Sequence, residues 1–212
     1  MTLKKASYKA IKYACMKFHY AKSVPVNVLG YSVFENDEWC GCIVYGTGAN
    51  NNISKPYNLK QGEVIELVRM ALNGKQSTTS KALSISLKLV KKDCPLVKLI
   101  VSYADVDQNH QGIIYQATNW HYVDISMKNK TDSSWIINNK RIHGRVISDW
   151  VKSKGGLNGL TRRQFIENNY DKEAKEFITK GKIKYIYPLD KNLSNMCKQL
   201  SKPYSEINAS LA

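Results

Sequence analysis

Apolar positions recur along the chain with two periods, and the switches between them set an order of elements. Tyr8, Ile11, Cys15 and Phe18 stand three and four residues apart, which predicts an amphipathic helix whose other face carries Lys5, Lys9 and Lys12. Residues 28–34 and 39–45 read as two strands, joined tightly by the polar run Glu35-Asn36-Asp37-Glu38. After a polar loop over 50–58 comes a third strand over 63–72, stopped by Asn73-Gly74. Ser77, Thr78 and Thr79 then offer N-caps for a helix buried through Ala82, Leu83, Ile85, Leu87, Leu89 and Val90, with Lys88, Lys91 and Lys92 suiting its C-terminal end. The continuous apolar start of residues 97–104 predicts a strand covered on both faces and parallel to 63–72.

Further on, the pattern predicts a short helix over 110–118, strands over 120–125 and 133–137, and a helix over 142–154 ended by Gly155-Gly156. Thr161 and Gln164 form a capping-box pair for one more helix, and residues 182–188 alternate as a final strand. The sum is an α+β (mixed α/β) fold, with a mixed central sheet and helices on both faces. Residues 1–140 are expected as the catalytic core, and 141–212 as a basic helical extension whose last strand returns to the sheet.

Composition adds a partner. The 212 residues hold 32 Lys and Arg against 17 Asp and Glu, a formal charge of +15, which attracts a polyanion and repels cationic substrates. Residues 1–22 hold six Lys and no acid, and residues 140–212 hold fifteen Lys or Arg against seven acids, so both ends are basic. Nucleic acid is the natural partner, although solubility alone also selects a basic surface. Cys15, Cys40, Cys42, Cys94 and Cys197 are odd in number and lack C-x-x-C spacing, which predicts reduced thiols rather than a disulfide framework or structural zinc. Without a membrane-length apolar run or a signal-peptide stretch, a soluble cytoplasmic protein with no membrane partner is expected.

The order of elements resembles the GNAT acyltransferase fold, and three segments narrow the likeness. These are Phe18-His19-Tyr20, Glu66-Leu67-Val68-Arg69, and Ser102-Tyr103-Ala104-Asp105 continuing through Gly112-Ile113-Ile114-Tyr115-Gln116-Ala117-Thr118-Asn119-Trp120. Together they are similar to the phage Mom family over roughly residues 15–190. The resemblance implies transfer of a carbamoylmethyl (acetamide-type) group to the exocyclic amine of adenine in phage DNA, which protects it from host restriction nucleases inside the infected bacterium. One departure stands out. GNAT enzymes hold the coenzyme A pyrophosphate on a Q/R-x-x-G-x-G/A loop at a helix N-terminus, whereas this chain has Asn73-Gly74-Lys75-Gln76-Ser77-Thr78-Thr79-Ser80 there. Arg69, Lys75, Thr79 and Ser80 are the candidate anion-holding residues, and an acyl-coenzyme A donor stays open.

Adenine's exocyclic amine is a poor nucleophile, because its lone pair is delocalised into the ring, so acid–base groups are needed. Asp105, at the carboxyl end of the 97–104 strand, is a candidate general base or metal ligand, against the alternative of a turn-capping Asp. Ser102 and Tyr115 are candidates to position donor or product, with Tyr115 a general acid; both also suit purely structural roles. His19 and Tyr20, at the end of the first helix, join Asp105 as a candidate set for iron, although no H-x-x-x-H spacing supports a metal. His110 suits a cap of the short helix, and His121 and His143 have no evident partners.

Glu66 and Arg69 lie three apart on one strand and face opposite ways unless the strand bulges; Arg69 would hold a donor anion and Glu66 orient the acceptor, against a reading as edge charges. Lys5, Lys9, Lys12, Arg141, Arg145, Lys152, Lys154, Arg162 and Arg163 are candidate contacts to the phosphates of double-stranded DNA. Trp39, Tyr45, Tyr57 or Trp120 would stack an extruded base, or else pack in the core. Rival readings are a GNAT N-acyltransferase acting on another amine, in a small molecule or a transfer RNA, and a non-catalytic DNA-binding module. A homodimer is left open.

Overall fold

Strand β1 (Thr2–Lys5) gives way to helix α1 (Tyr8–Phe18) at Ser7, whose hydroxyl accepts a hydrogen bond from the Ala10 amide at 3.2 Å. The structure, a computed structural model, describes residues 1–48 and 50–211. Ile11, Ala14 and Cys15 of α1 are buried against Cys42, Val44 and Ala71. Removing Ile11 from water contributes about 2 kcal/mol. Tyr8, expected in that stripe, is instead 63% exposed, because it opens the helix just beyond the Ser7 cap.

Strands β2 (Val28–Glu35) and β3 (Glu38–Gly46) form the predicted hairpin. Its two central residues, Asn36 and Asp37, have φ of 48° and 64°, the left-handed pair that a tight hairpin turn requires and that Asn and Asp tolerate. Then follow β4 (Val64–Leu72), α2 (Thr79–Asp93), β5 (Leu99–Asp105), the single turn α3 (Ile113–Gln116) and β6 (His121–Ser126). The chain continues through β7 (Lys130–Ile137), β8 (Lys140–Ile142), α4 (Gly144–Ser153), α5 (Arg162–Asn169) and β9 (Lys175–Thr179). It ends in β10 (Lys182–Pro188), α6 (Ser194–Leu200) and α7 (Ser205–Leu211). The five elements that hydrophobic period misses are β1, β8, β9, α6 and α7, none longer than seven residues.

The main sheet has the order β1-β2-β3-β4-β5-β10-β6, antiparallel up to β4 and parallel between β4 and β5 as the sequence predicts. Alternation along β3 sends Val44 to the α1 side, while Tyr45 hydrogen-bonds Ser86 of α2 at 2.6 Å, so helices cover both faces of this α+β sheet. A second sheet, β8-β7-β9, packs with α4 and α5 around Trp135, Ile137, Ile147, Phe165, Ile166 and Ala174. Thr161 and Gln164 form the predicted capping box of α5. Thr78 caps α2 without a side-chain hydrogen bond.

Two compact units result: one of residues 1–105, 110–124 and 183–212, the other of 106–109 and 125–182. The division therefore does not fall at residue 140. Instead β10, the strand expected to return, takes its place between β5 and β6. All five cysteines are free thiols, four of them buried.

Candidate active site

Pairing between β4 and β5 runs from Val64–Leu99 to Leu67–Ser102, although β4 continues to Leu72 and β5 to Asp105. Ser102 sits at the last rung with no solvent exposure; its Oγ lies 3.0 Å from the Leu67 carbonyl, to which it donates, and 2.8 Å from the Tyr115 hydroxyl. That hydroxyl therefore fastens the sheet where its strands cease to pair. Tyr115 is 8% exposed, and burial pushes its phenol up to about 12, so it holds its proton.

Asp105 is three residues beyond Ser102 and so projects to the other face. It is 7% exposed and accepts a 3.2 Å hydrogen bond from the Tyr20 hydroxyl, joining segments 85 residues apart. Burial, then the Asp105 charge, raises the Tyr20 phenol far above its ordinary value, with Tyr115 adding in the same direction. Tyr20 is thereby kept a proton donor. Its ring stacks obliquely on His19 at 4.3 Å and meets His110 edge-on at 5.8 Å. His110 thus lines the site rather than capping α3, whose N-cap is Gly112. Gly112 has φ of 76°, and a Cβ there would collide with the Tyr185 ring.

His19 is buried, and burial, with Arg69, His110 and Lys22 nearby, brings its pKa down to about 4. Its Nδ1 accepts the Ala21 amide at 3.1 Å, so in the neutral ring the proton resides on Nε2. Arg69 reaches this neighbourhood through a bulge. Val44 pairs with Arg69 and Tyr45 with Leu67, so Val68 is extra, and Glu66 and Arg69 return to one face of β4. Arg69 donates to the Val68 carbonyl at 2.7 Å and to Ser23 Oγ at 3.4 Å, while its buried Nε has no hydrogen-bond partner. Glu66 acts on the same group of residues, its charge raising the Tyr103 and Tyr115 phenols after burial has done so.

The anion candidates fare differently. Lys75 Nζ lies 3.4 Å from Glu38, Thr79 Oγ1 accepts from Gln76 Nε2 at 3.0 Å, and Ser77 is held by Glu35. Among the described residues, no three His, Cys, Asp or Glu side chains are arranged to hold a metal ion. His19 would have to release Ala21 and move its proton before Nε2 could ligate.

Of the basic residues, Lys5, Lys9 and Lys12 are exposed in the first unit, and Arg145, Lys152, Lys154, Arg162 and Arg163 in the second. Arg141, also exposed, pairs with Asp107 at 3.3 Å and lies 3.8 Å over the Phe177 ring. Three of the four stacking candidates are core residues: Tyr45, Tyr57 and Trp120 are at most 4% exposed. The fourth, Trp39, packs with Tyr13 and Phe18. Exposed rings stand on or just beyond α1 instead, Tyr8, Tyr13 and Tyr20 at 63%, 55% and 46%. Their interleaving with Lys9, Lys12 and Lys17 was the available signal for them. His143 caps α4, its Nδ1 accepting from the Arg145 amide at 3.1 Å.

Among solved structures, an aminoglycoside 6'-acetyltransferase type Ii aligns with a TM-score of 0.47 at 10% identity, covering 89% of this chain and 97% of that one. The aminoglycoside 6'-N-acetyltransferase from Enterococcus faecium gives 0.46 at 8%, with the same coverage. In sequence, the methylcarbamoylase mom of Escherichia phage Mu is 28% identical over 110 residues, which are 50% of this chain and 46% of that protein. The match thus spans less than half the length of that relative. The Mom protein family itself matches residues 1–206. With nearly its whole length inside that match, the chain belongs to the Mom protein family.

Proposed function

We propose that this chain is a transferase that attaches a carbamoylmethyl group to the exocyclic amine of adenine in double-stranded DNA and so shields phage DNA from restriction. The observation that carries the reading is the Tyr20–Asp105 hydrogen bond, which unites two segments of the Mom resemblance at one partly open site. As the carbamoylmethyl carbon parts from its carrier, which leaves with the bonding electron pair, the amine forms the new N–C bond and sheds a proton, for which Asp105 is the proposed acceptor. Tyr20, held protonated, orients that carboxylate and keeps one of its oxygens fixed. Neutral His19 offers Nε2–H, and Arg69, with an unused Nε–H, offers a charged donor for an anionic group on the donor molecule. Ser102 and Tyr115 act from beneath as positioning residues.

Iron would supply Lewis-acid or radical chemistry; His19, Tyr20 and Asp105 would be the residues to hold it, once His19 released the Ala21 amide, and no step is assigned to a metal. Lys5, Lys9, Lys12, Arg145, Lys152, Arg162 and Arg163 would contact phosphates without reading sequence. The target base must leave the stack to react, and the exposed Tyr20 ring is available to meet it.

Nucleoside mass spectrometry of DNA from bacteria expressing the protein tests this, and a mass-shifted adenine nucleoside is expected. Asp105→Ala should lower modification by at least about 100-fold, with DNA affinity nearly unchanged. Unmodified DNA from well-expressing cells would refute the reading.

A further inference from the structure

Coenzyme A is the donor a GNAT fold implies, and its pyrophosphate needs free backbone amides between the strand and helix that are β4 and α2 here. In this chain the middle of that loop is taken. The Ser77 amide and hydroxyl both donate to Glu35 Oε2, at 3.0 and 2.7 Å. A carboxylate oxygen therefore takes the two donors that Ser77 could offer a phosphate oxygen. Glu35 is fixed in place as the last residue of β2, paired across the hairpin with Glu38. Glu38 in turn lies 3.4 Å from Lys75, which is the one cation of residues 73–80. The Ser77 hydroxyl, then its amide, holds the Glu35 carboxyl down at about 2, so this group stays ionised at physiological pH.

The hairpin tip of residues 35–38 thus places three acids beside a loop that carries one Lys, with Glu35 Oε1 also 3.3 Å from the Met1 ammonium. A pyrophosphate brought to Ser77 would meet like charge, with that residue's amide and hydroxyl already donated to Glu35.

We propose that Glu35 is a built-in anion filling the coenzyme A pyrophosphate position, so that this chain takes its transferable group from a donor gripped elsewhere. The inference rests on the transferase reading above, but its test is binding alone, which reads the same whether or not DNA is modified. Coenzyme A is titrated calorimetrically into the full chain and into Glu35→Ala and Glu35→Gln, with folding of each checked by thermal unfolding. The wild type is expected to give no saturable heat up to about 1 mM, a Kd weaker than about 4 kcal/mol of binding would allow. Glu35→Ala should gain at least about tenfold in affinity. Glu35→Gln, which keeps an acceptor for Ser77 but no charge, should gain less, and it carries the comparison if the Ala variant does not fold. Pantetheine, which lacks the pyrophosphate, should bind none of the three. Saturable binding of coenzyme A to the wild type would overturn the proposal, as would variants with no gain over it.

Discussion

Lowering the pH should weaken the fold through His19, and the effect has a defined window. The unfolded ring takes its proton near 6.5, whereas the folded one, buried and facing Arg69, His110 and Lys22, resists until about 4. Between those values the unfolded state binds more protons, so stability rises with pH there and is lost as pH falls from 6.5 towards 4. At pH 7 the folded ring is neutral and the unfolded one about a quarter protonated, so His19 contributes only about 0.3 kcal/mol per pH unit to the slope. Working the two values through the linkage relation gives a loss of about 2 kcal/mol at pH 5 and about 3 kcal/mol at pH 4.

Carboxylates that are depressed in the fold, such as Glu35, Glu63 and Asp171, also cost stability on acidification, but only as pH drops below their ordinary range towards their lowered values. A difference measurement separates the two. Urea unfolding of the wild type and His19→Asn at half-unit steps from pH 4 to 7 should give curves that diverge below 6.5, with the wild type losing more. Asn is chosen because its side-chain oxygen can still accept the Ala21 amide. Superimposable pH profiles would show that His19 titrates normally, and the buried neutral imidazole would have to be abandoned.

Ser102→Ala removes a hydroxyl with no exposure and strands both the Leu67 carbonyl and the Tyr115 hydroxyl, so it should cost about 2–4 kcal/mol, read as a drop in melting temperature of roughly 5–10 °C. A shift under 2 °C would argue against a fastening at the β4–β5 divergence. Thr161→Ala breaks the α5 capping box and should destabilise the second unit by about 1 kcal/mol, detectable by amide exchange over residues 162–169; unchanged protection there would count against it.

Much of the fold is legible in the chain because it is set locally. The 3.6-residue period of α1, the polar turn at 35–38 and the Thr161–Gln164 pair each operate within a few residues, and each is found where the pattern puts it. The division into units is not local, since it depends on β10 inserting between two strands that precede it by dozens of residues. The site divides the same way. The Tyr20–Asp105 bond spans 85 residues and the Ser77–Glu35 bonds span 42, and no spacing rule connects such pairs; only the family resemblance points to Tyr20 and Asp105 together. Aromatic composition left the choice between base and core open. Tyr45 and Tyr57 have the same chemistry as Tyr8 and Tyr13, and only burial tells a core ring from one that can meet a base.

The place of β10 has a consequence for how the protein is made. Until residues 182–188 leave the ribosome, β5 and β6 have no strand to separate and pair them, and each presents bare amides and carbonyls along one side. The nascent chain must carry that half-zippered surface through synthesis of all of residues 125–182, which can meanwhile fold on their own core. Truncation just before Lys182 should therefore yield aggregates rather than a smaller enzyme.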